Sequence, residues 1–209
     1  MDDETNLEKV AGSLPTAVAG TLLAAFSGTP LSALLPVLTS ALASTRHTQR
    51  VEAAIMDMSA DLERQKNKLR DLSDVQYKII NEAVLSVFQT LDEQKLRILR
   101  NVVRNTIEDQ SIEIQEAALI SRLVRDLSAA EAMFLLERRD IARFMLSENR
   151  PSDSDALHIE PDSDLGLVAS GLVSLGLLVT AEPTWDDTGR LRYSPIVKKL
   201  VSLLDEPDA

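Results

Sequence analysis

The residues of this chain with the chemistry for catalysis or metal binding are two histidines, His47 and His158, and a dense set of carboxylates. The richest local group is SENRPSDSDALHIEPDSD at 147–164, where Asp153, Asp155, Glu160, Asp162 and Asp164 flank His158. A hard divalent cation collects several oxygen ligands, so the residue types suit one. The spacing does not, because a calcium loop needs a glycine at its sharp turn and this stretch has none. Pro151, Pro161 and the lack of periodicity make it an exposed acidic linker, with Asp162 or Asp164 capping the helix that follows. Neither histidine has a partner at metal-ligand spacing, and no phosphate-cradling glycine loop or nucleophile elbow occurs. With no cysteine, thiolate ligands, cysteine nucleophiles and disulfides are excluded. Acid–base work needs carboxylates shifted within a pocket, whereas carboxylate pairs on acidic helices are ordinarily solvated faces. The expectation is a protein that is not an enzyme and uses neither metal nor cofactor.

Binding remains, and its strongest signal is residues 10–45, which carry no charge although 26% of the chain is Asp, Glu, Lys or Arg. Apolar surface left in water costs about 25 cal/mol per Å², so such a tract belongs in an interface or a bilayer. Pro15, Pro30 and Pro36, with Gly12, Gly20 and Gly28, break it into two helices, 16–26 and 31–44, turned at Ser27-Gly28-Thr29-Pro30. Each is shorter than the roughly 20 residues a membrane span requires. Three readings stay open: a hairpin buried in a bundle or self-association interface, one that enters or lies on a membrane, and a constitutive anchor. Small residues allow close helix contact in either medium. Leu22, Leu23, Phe26, Leu34, Leu35 and Leu38 would supply the apolar contacts. Arg46, His47 and Arg50 suit the cytoplasmic edge of a membrane or an ordinary exposed helix start. The acidic opening Met1-Asp2-Asp3-Glu4 is unlike a secretory signal. A cytoplasmic location follows, peripheral to the inner membrane where the tract meets lipid.

Such elements need a scaffold, and composition points to helices. Aromatics are only 3% of the chain and glycines number seven, which favours helix-on-helix packing over strands. Over 51–72, Val51, Ile55, Met58, Leu62 and Leu69 recur in steps of four and three, with Gln65 replacing one expected member. This heptad seam predicts one long helix able to pair with a second, within this chain or in another copy. Ser73 with Gln76, Thr90 with Glu93 and Ser128 with Glu131 fit capping boxes. Helical spacing follows each, and one of these helices is expected to run from Met133 through Ile141 to Phe144. The fold class is mainly α: an apolar helical hairpin at 1–45, a helical bundle at 46–146, an acidic linker at 147–163 and a winged-helix-like α+β module at 164–209.

Four motifs carry a family resemblance: KLRILRNVVRN at 95–105, ISRLVRDLSAAEAMFLLE at 120–137, SLGLLV at 174–179 and LRYSPIVKKLVSLL at 191–204. Together, over about half the chain, they resemble the abortive-infection alpha type of bacterial proteins. The resemblance implies a helical region ending in a small winged-helix-like module and a role in phage defence, and it brings no catalytic residues. One departure stands out: the family's closing motif has a threonine-proline-leucine-glycine run, whereas Ser194, Pro195 and Ile196 are followed here by Val197.

The carboxyl-terminal module reads as a helix over 165–175 closed by Gly176, then strands at 177–182 and 189–193 around a turn containing Trp185, Asp186 and Asp187, then a helix from Pro195 to Leu204. Winged helices often contact DNA through basic residues. The candidates are Arg190, Arg192, Lys198 and Lys199, set against seven acidic residues in the same module and a net charge of -11 for the chain. A protein partner is therefore favoured over nucleic acid. Two functions follow as expectations. The first is a phage-defence effector whose tract associates with inner-membrane lipid or with itself. The alternative is an oligomeric adaptor or regulator with an acidic protein-interaction module.

Overall fold

The computed structural model describes residues 48–90, 92–109, 111–148, 156–181 and 189–206. The uncharged tract, with Leu22, Leu23, Phe26, Leu34, Leu35 and Leu38, lies outside the described residues, as do Asp153, Asp155 and Trp185. The protein is mainly helical and divides into two compact units, with the second running from Leu127 to Asp205.

The first unit contains α1 (Thr48–Arg64), α2 (Lys66–Arg70), α3 (Asp74–Val87), α4 (Glu93–Glu108) and α5 (Ile114–Asp126). Helix α3 packs on both α4 and α5, and α1 lies along α4. Val51, Ile55, Met58, Leu62 and Leu69 are all buried, so the seam is covered inside this chain. The expected single helix over the seam is two. At Gln65 the backbone leaves helical geometry (φ -104, ψ 17), and its N–H is shared between the carbonyls of Asp61 and Leu62 at 3.2 and 3.1 Å. The break falls where a polar residue interrupts the apolar spacing.

Helix ends follow local chemistry. The Ser73 hydroxyl accepts from the Gln76 N–H while the Gln76 side chain accepts from the Ser73 N–H, and Ser128 with Glu131 repeats the pattern. Thr90 does not cap α4. Asp92 takes that place, its carboxylate accepting from the N–H groups of Gln94 and Lys95 at 2.8 and 3.2 Å. An anion at a helix start gains from the macrodipole as well as from the bonds, which a threonine hydroxyl cannot match. Two buried side chains close other ends. Gln76 Nε2 donates to the carbonyl of Thr106 at 2.8 Å, and Lys95 Nζ donates to that of Val124 at 2.8 Å, near the ends of α4 and α5.

The second unit contains α6 (Ala129–Glu137), β1 (Phe144–Leu146), β2 (Leu157–Ile159), α7 (Asp164–Ser174), β3 (Leu178–Thr180), β4 (Arg190–Tyr193) and α8 (Ile196–Leu204). The sheet order is β2-β1-β4-β3, with β1 parallel to β2 and β4 antiparallel to both β1 and β3. A helix leading directly into a hairpin, whose second strand returns beside an earlier strand, gives the module its winged-helix-like form. Helix α6 packs on α7 and α8.

Four expectations are corrected here. The helix expected to reach Phe144 ends at Glu137, because Phe144 pairs with Leu157 on one side and Leu191 on the other. The division between units falls before Leu127 instead of after Leu146, since α6 and β1 share the second core. The acidic segment is not linker throughout: Leu157–Ile159 is a strand, and its Ile159 is buried. The cap of α7 is Ser163, not an aspartate, with its hydroxyl accepting from the Gly166 N–H at 3.0 Å.

Candidate functional site

Helix α7 precedes the hairpin, the position from which a winged helix presents its recognition surface. Its ends are set by sequence. Ser163 caps the start, and Gly176 adopts φ +72 at the end, where a side chain would be strained. There the Gly176 N–H bonds the Val173 carbonyl at 2.9 Å and the Leu177 N–H bonds that of Leu172 at 2.8 Å. These two bonds form a Schellman closure, and Leu172 and Leu177 are both fully buried beneath it. Near the start, the carbonyl oxygens of Glu160 and Pro161 lie so close to Gly166 that no Cβ fits.

With Gly166, Ala169 and Leu172 buried, the opposite face of α7 bears the exposed Asp164, Leu167, Ser170 and Ser174, while Val173, one turn beyond Ala169, is exposed at the edge of the buried side. Leu167 is 68% exposed and Val173 41%. The helix has no lysine or arginine and one acid, Asp164. A surface of this kind can bury apolar groups against a protein, but it offers no cation to phosphates.

The basic residues singled out from sequence are elsewhere in the unit. Arg190 and Arg192 lie on β4, half-buried and exposed respectively, and alternate with Leu191 and Tyr193. Lys198 is exposed and Lys199 half-buried in the first turn of α8. None of the four stands on α7.

Beneath the sheet, aromatic rings fix helix to strand. Phe144 lies 5.5 Å from Phe134 and meets the Tyr193 ring edge-on at 4.9 Å, while the Arg138 guanidinium stacks 5.0 Å over Phe134. Burial pushes the Tyr193 phenol well above its ordinary range, against the smaller opposing effect of Arg138. The hydroxyl donates to the Arg138 carbonyl at 3.2 Å. A phenol so held keeps its proton near neutrality and acts as a structural donor.

Two further places could do chemistry. His158 Nε2 lies 3.2 Å from Ser147 Oγ, joining β2 to the end of β1. In the first unit, a cleft of about 440 Å³ lies between α1 and α4, with Asp57, Glu93, Arg97 and Arg100 among its walls. Arg100 is committed to its own unit: Nε donates to Asp61 at 2.7 Å and a terminal nitrogen to Asp57 at 3.0 Å. The hydrogen bond to Asp61 is the main cause raising the Arg100 pKa, and desolvation opposes it. The cleft is thus an open groove walled in part by an ion-paired arginine. Among the described residues, no group of three or more His, Cys, Asp or Glu is placed to hold a metal, and no helix is long and apolar enough to cross a membrane.

Leu167 and Val173 escaped the sequence reading. The signal that could have found them is that α7 has only three polar residues, Asp164, Ser170 and Ser174, so its apolar side chains outnumber those that one side of a helix in a small two-layer module can bury. Compared with protein-family models, curated proteins and solved structures, the chain matches none.

Proposed function

We propose that this chain is a non-catalytic interaction protein of the cytoplasm, an adaptor or regulator whose winged-helix-like module docks a protein partner through α7. One observation carries this reading: the helix in the recognition position exposes Leu167 and Val173 and has no cation. Binding to nucleic acid is dominated by Lys and Arg on phosphates, so that helix is poorly suited to DNA. The test places a photo-crosslinking residue at Leu167 of the full chain, and separately at Ser202 of α8, in living cells. A discrete protein adduct is expected from the first position and none from the second. Duplex DNA should give no mobility shift at low salt. A shift lost on replacing Arg192 with alanine would overturn the reading in favour of DNA.

The charge-free tract at 10–45 favours a second reading, in which the same protein is a phage-defence effector associating with the membrane or with itself, as the family resemblance implies. Liposome flotation separates the two. Full-length protein that floats, and no longer floats after Leu23→Asp with Leu35→Asp, supports the membrane role; a stable oligomer left at the bottom supports the adaptor.

A further inference from the structure

Strand β1, where a helix was expected, brings a third arginine beside Arg190 and Arg192. Phe144 pairs with Leu191 and Met145 with Arg190, so Arg143, one residue earlier, stands opposite Arg192. Its carbonyl accepts from the Leu157 N–H at 3.0 Å, which places its backbone in the ladder. The Leu146 N–H bonds the Gly189 carbonyl at 2.9 Å, and antiparallel pairs alternate, so Arg143 and Arg192 form a pair without mutual backbone bonds. In pairs of that kind the Cα atoms are about 4.5 Å apart and the side chains approach most closely. Arg190 lies two residues along β4, about 7 Å away on the same face. The other face holds Phe144, packed on Phe134 of α6, with Tyr193 and the buried Leu191, so the three arginines point away from that core.

Like charges directly opposite on paired strands destabilise a sheet, and an anion between them reverses that sign. Arg143 and Arg192 are exposed and Arg190 is half-buried. Arg192 has no ion pair among the described residues, whereas Arg143 and Arg190 each interact with another group. A guanidinium has more N–H donors than one partner takes. None of the four strands contains Asp or Glu. Glu148 and Glu160 follow β1 and β2 at the opposite end of the sheet from Arg143 and Arg192, and Asp140 before β1 makes no ion pair among the described residues. The acids of the two connecting loops, Asp153, Asp155, Glu182, Asp186 and Asp187, lie outside the described residues. One carboxylate suits one guanidinium fork, whereas a phosphate monoester, with about two charges and a third oxygen, serves two. A patch about 7 Å across is too short for the run of phosphates on a nucleic acid. The net charge of -11 repels such a polyanion as a whole.

We propose that Arg143 and Arg192, with Arg190 beside them, hold a phosphorylated side chain of the protein partner. The proposal rests on the reading of this module as one that docks a protein. The probe is a fluorescent degenerate peptide library with a fixed central phosphoserine, titrated into the full chain by anisotropy beside the same library with serine or glutamate at that position. The phosphoserine library is expected to bind, the serine library not, and the glutamate library more weakly than the first. Arg143→Ala and Arg192→Ala should each weaken phosphoserine binding about tenfold through a lost charge-assisted fork. Arg192→Lys should restore only part of it, because an ammonium has no fork. Arg122→Ala, on the exposed side of α5, removes the same charge and should leave the affinity within about twofold of wild type. Circular dichroism confirms that each variant is folded.

The failures are distinguishable. An equal loss in Arg122→Ala and Arg192→Ala is attraction by overall charge, and it rejects the sheet face as the site. Glutamate-library binding as tight as phosphoserine binding overturns phosphate in favour of carboxylate. A single-stranded DNA oligonucleotide that binds more tightly than the phosphoserine library, through Arg192, overturns the protein source, and so does inorganic phosphate that binds as tightly as the library. No binding of the phosphoserine library overturns the proposal outright, while the crosslink at Leu167 still decides the docking reading.

Discussion

In the unit built from α1 to α5 the core is aliphatic, and the buried Gln76 and Lys95 side chains are turned onto helix ends; in the unit from Leu127 to Asp205 three aromatic rings hold helix to sheet, and α7 leaves Leu167 and Val173 exposed. The first unit uses its apolar residues on itself. Its seam is buried, and its two exposed large apolar side chains among the described residues, Met56 and Ile114, stand singly on different helices. The second has both Leu167 and Val173 exposed on one helix, with Asp164 in its first turn. Scattered apolar exposure is ordinary, but two large apolar side chains exposed on one eleven-residue helix with no cation are suited to a protein contact.

The sharpest way to break this comparison is to remove the aromatic tie. Phe144→Ala should cost about 4 kcal/mol, because the ring is fully buried between two others. Hydrogen exchange read by peptide mass spectrometry should show lost protection in β1, β4 and α6, with α3 to α5 retained. Loss across both units would mean that they share one cooperative core.

The corresponding polar test in the first unit is Arg100→Leu. It leaves Asp61, only 6% exposed at its side chain, with Arg64 at 3.4 Å as its remaining ion partner. About 2 kcal/mol should be lost, less than for a fully buried pair because Arg100 is itself one-third exposed. Urea denaturation followed by circular dichroism measures it, and an unchanged midpoint would show that the ion pair does not support the helix packing.

A pH dependence should belong to the second unit. The Tyr193 pKa is raised in the folded state from its ordinary value of 10.0, so its contribution is fully present below pH 10 and is lost as the unfolded chain, but not the folded one, releases the phenolic proton. Stability should therefore fall above pH 10, and Tyr193→Phe should flatten that fall. An identical alkaline profile in the variant would place the cause in other groups.

The smallest expected effect on folding sharpens the contrast most. Leu167→Ser should change stability by no more than about 0.5 kcal/mol, the range for exposed positions, while abolishing the crosslinked adduct. A loss of several kcal/mol on thermal unfolding would mean that Leu167 is a core residue and that α7 has no free face.

Much of the fold was legible because it is local. The capping boxes at Ser73 and Ser128, the helical spacing of α3 to α5, Gly176 as the left-handed closure of α7 and Pro195 before α8 all depend on residues within one or two turns of each other. Thr90 misled because a second capping residue, Asp92, stood two positions away and local rules do not rank competing caps. Phe144 and Leu157 misled for a different reason. Their segments become strands only through ladder partners 13 to 47 residues away in sequence, as in Phe144 with Leu157 or Phe144 with Leu191. A short apolar run looks the same in a helix or a strand until those partners are known.

The sequence by itself determined that α3 and α6 start at the capping boxes of Ser73 and Ser128, that α7 closes at Gly176, and that the chain is acidic, cysteine-free and largely helical, since hydrogen bonds at helix ends and the 3.6-residue period are short-range effects. Only the tertiary structure decided that α6 and β1 belong with the carboxyl-terminal unit, that the seam is covered within the chain, and which side of α7 faces outward. Each of those depends on which distant surface arrives to exclude water, and no local pattern encodes that arrival.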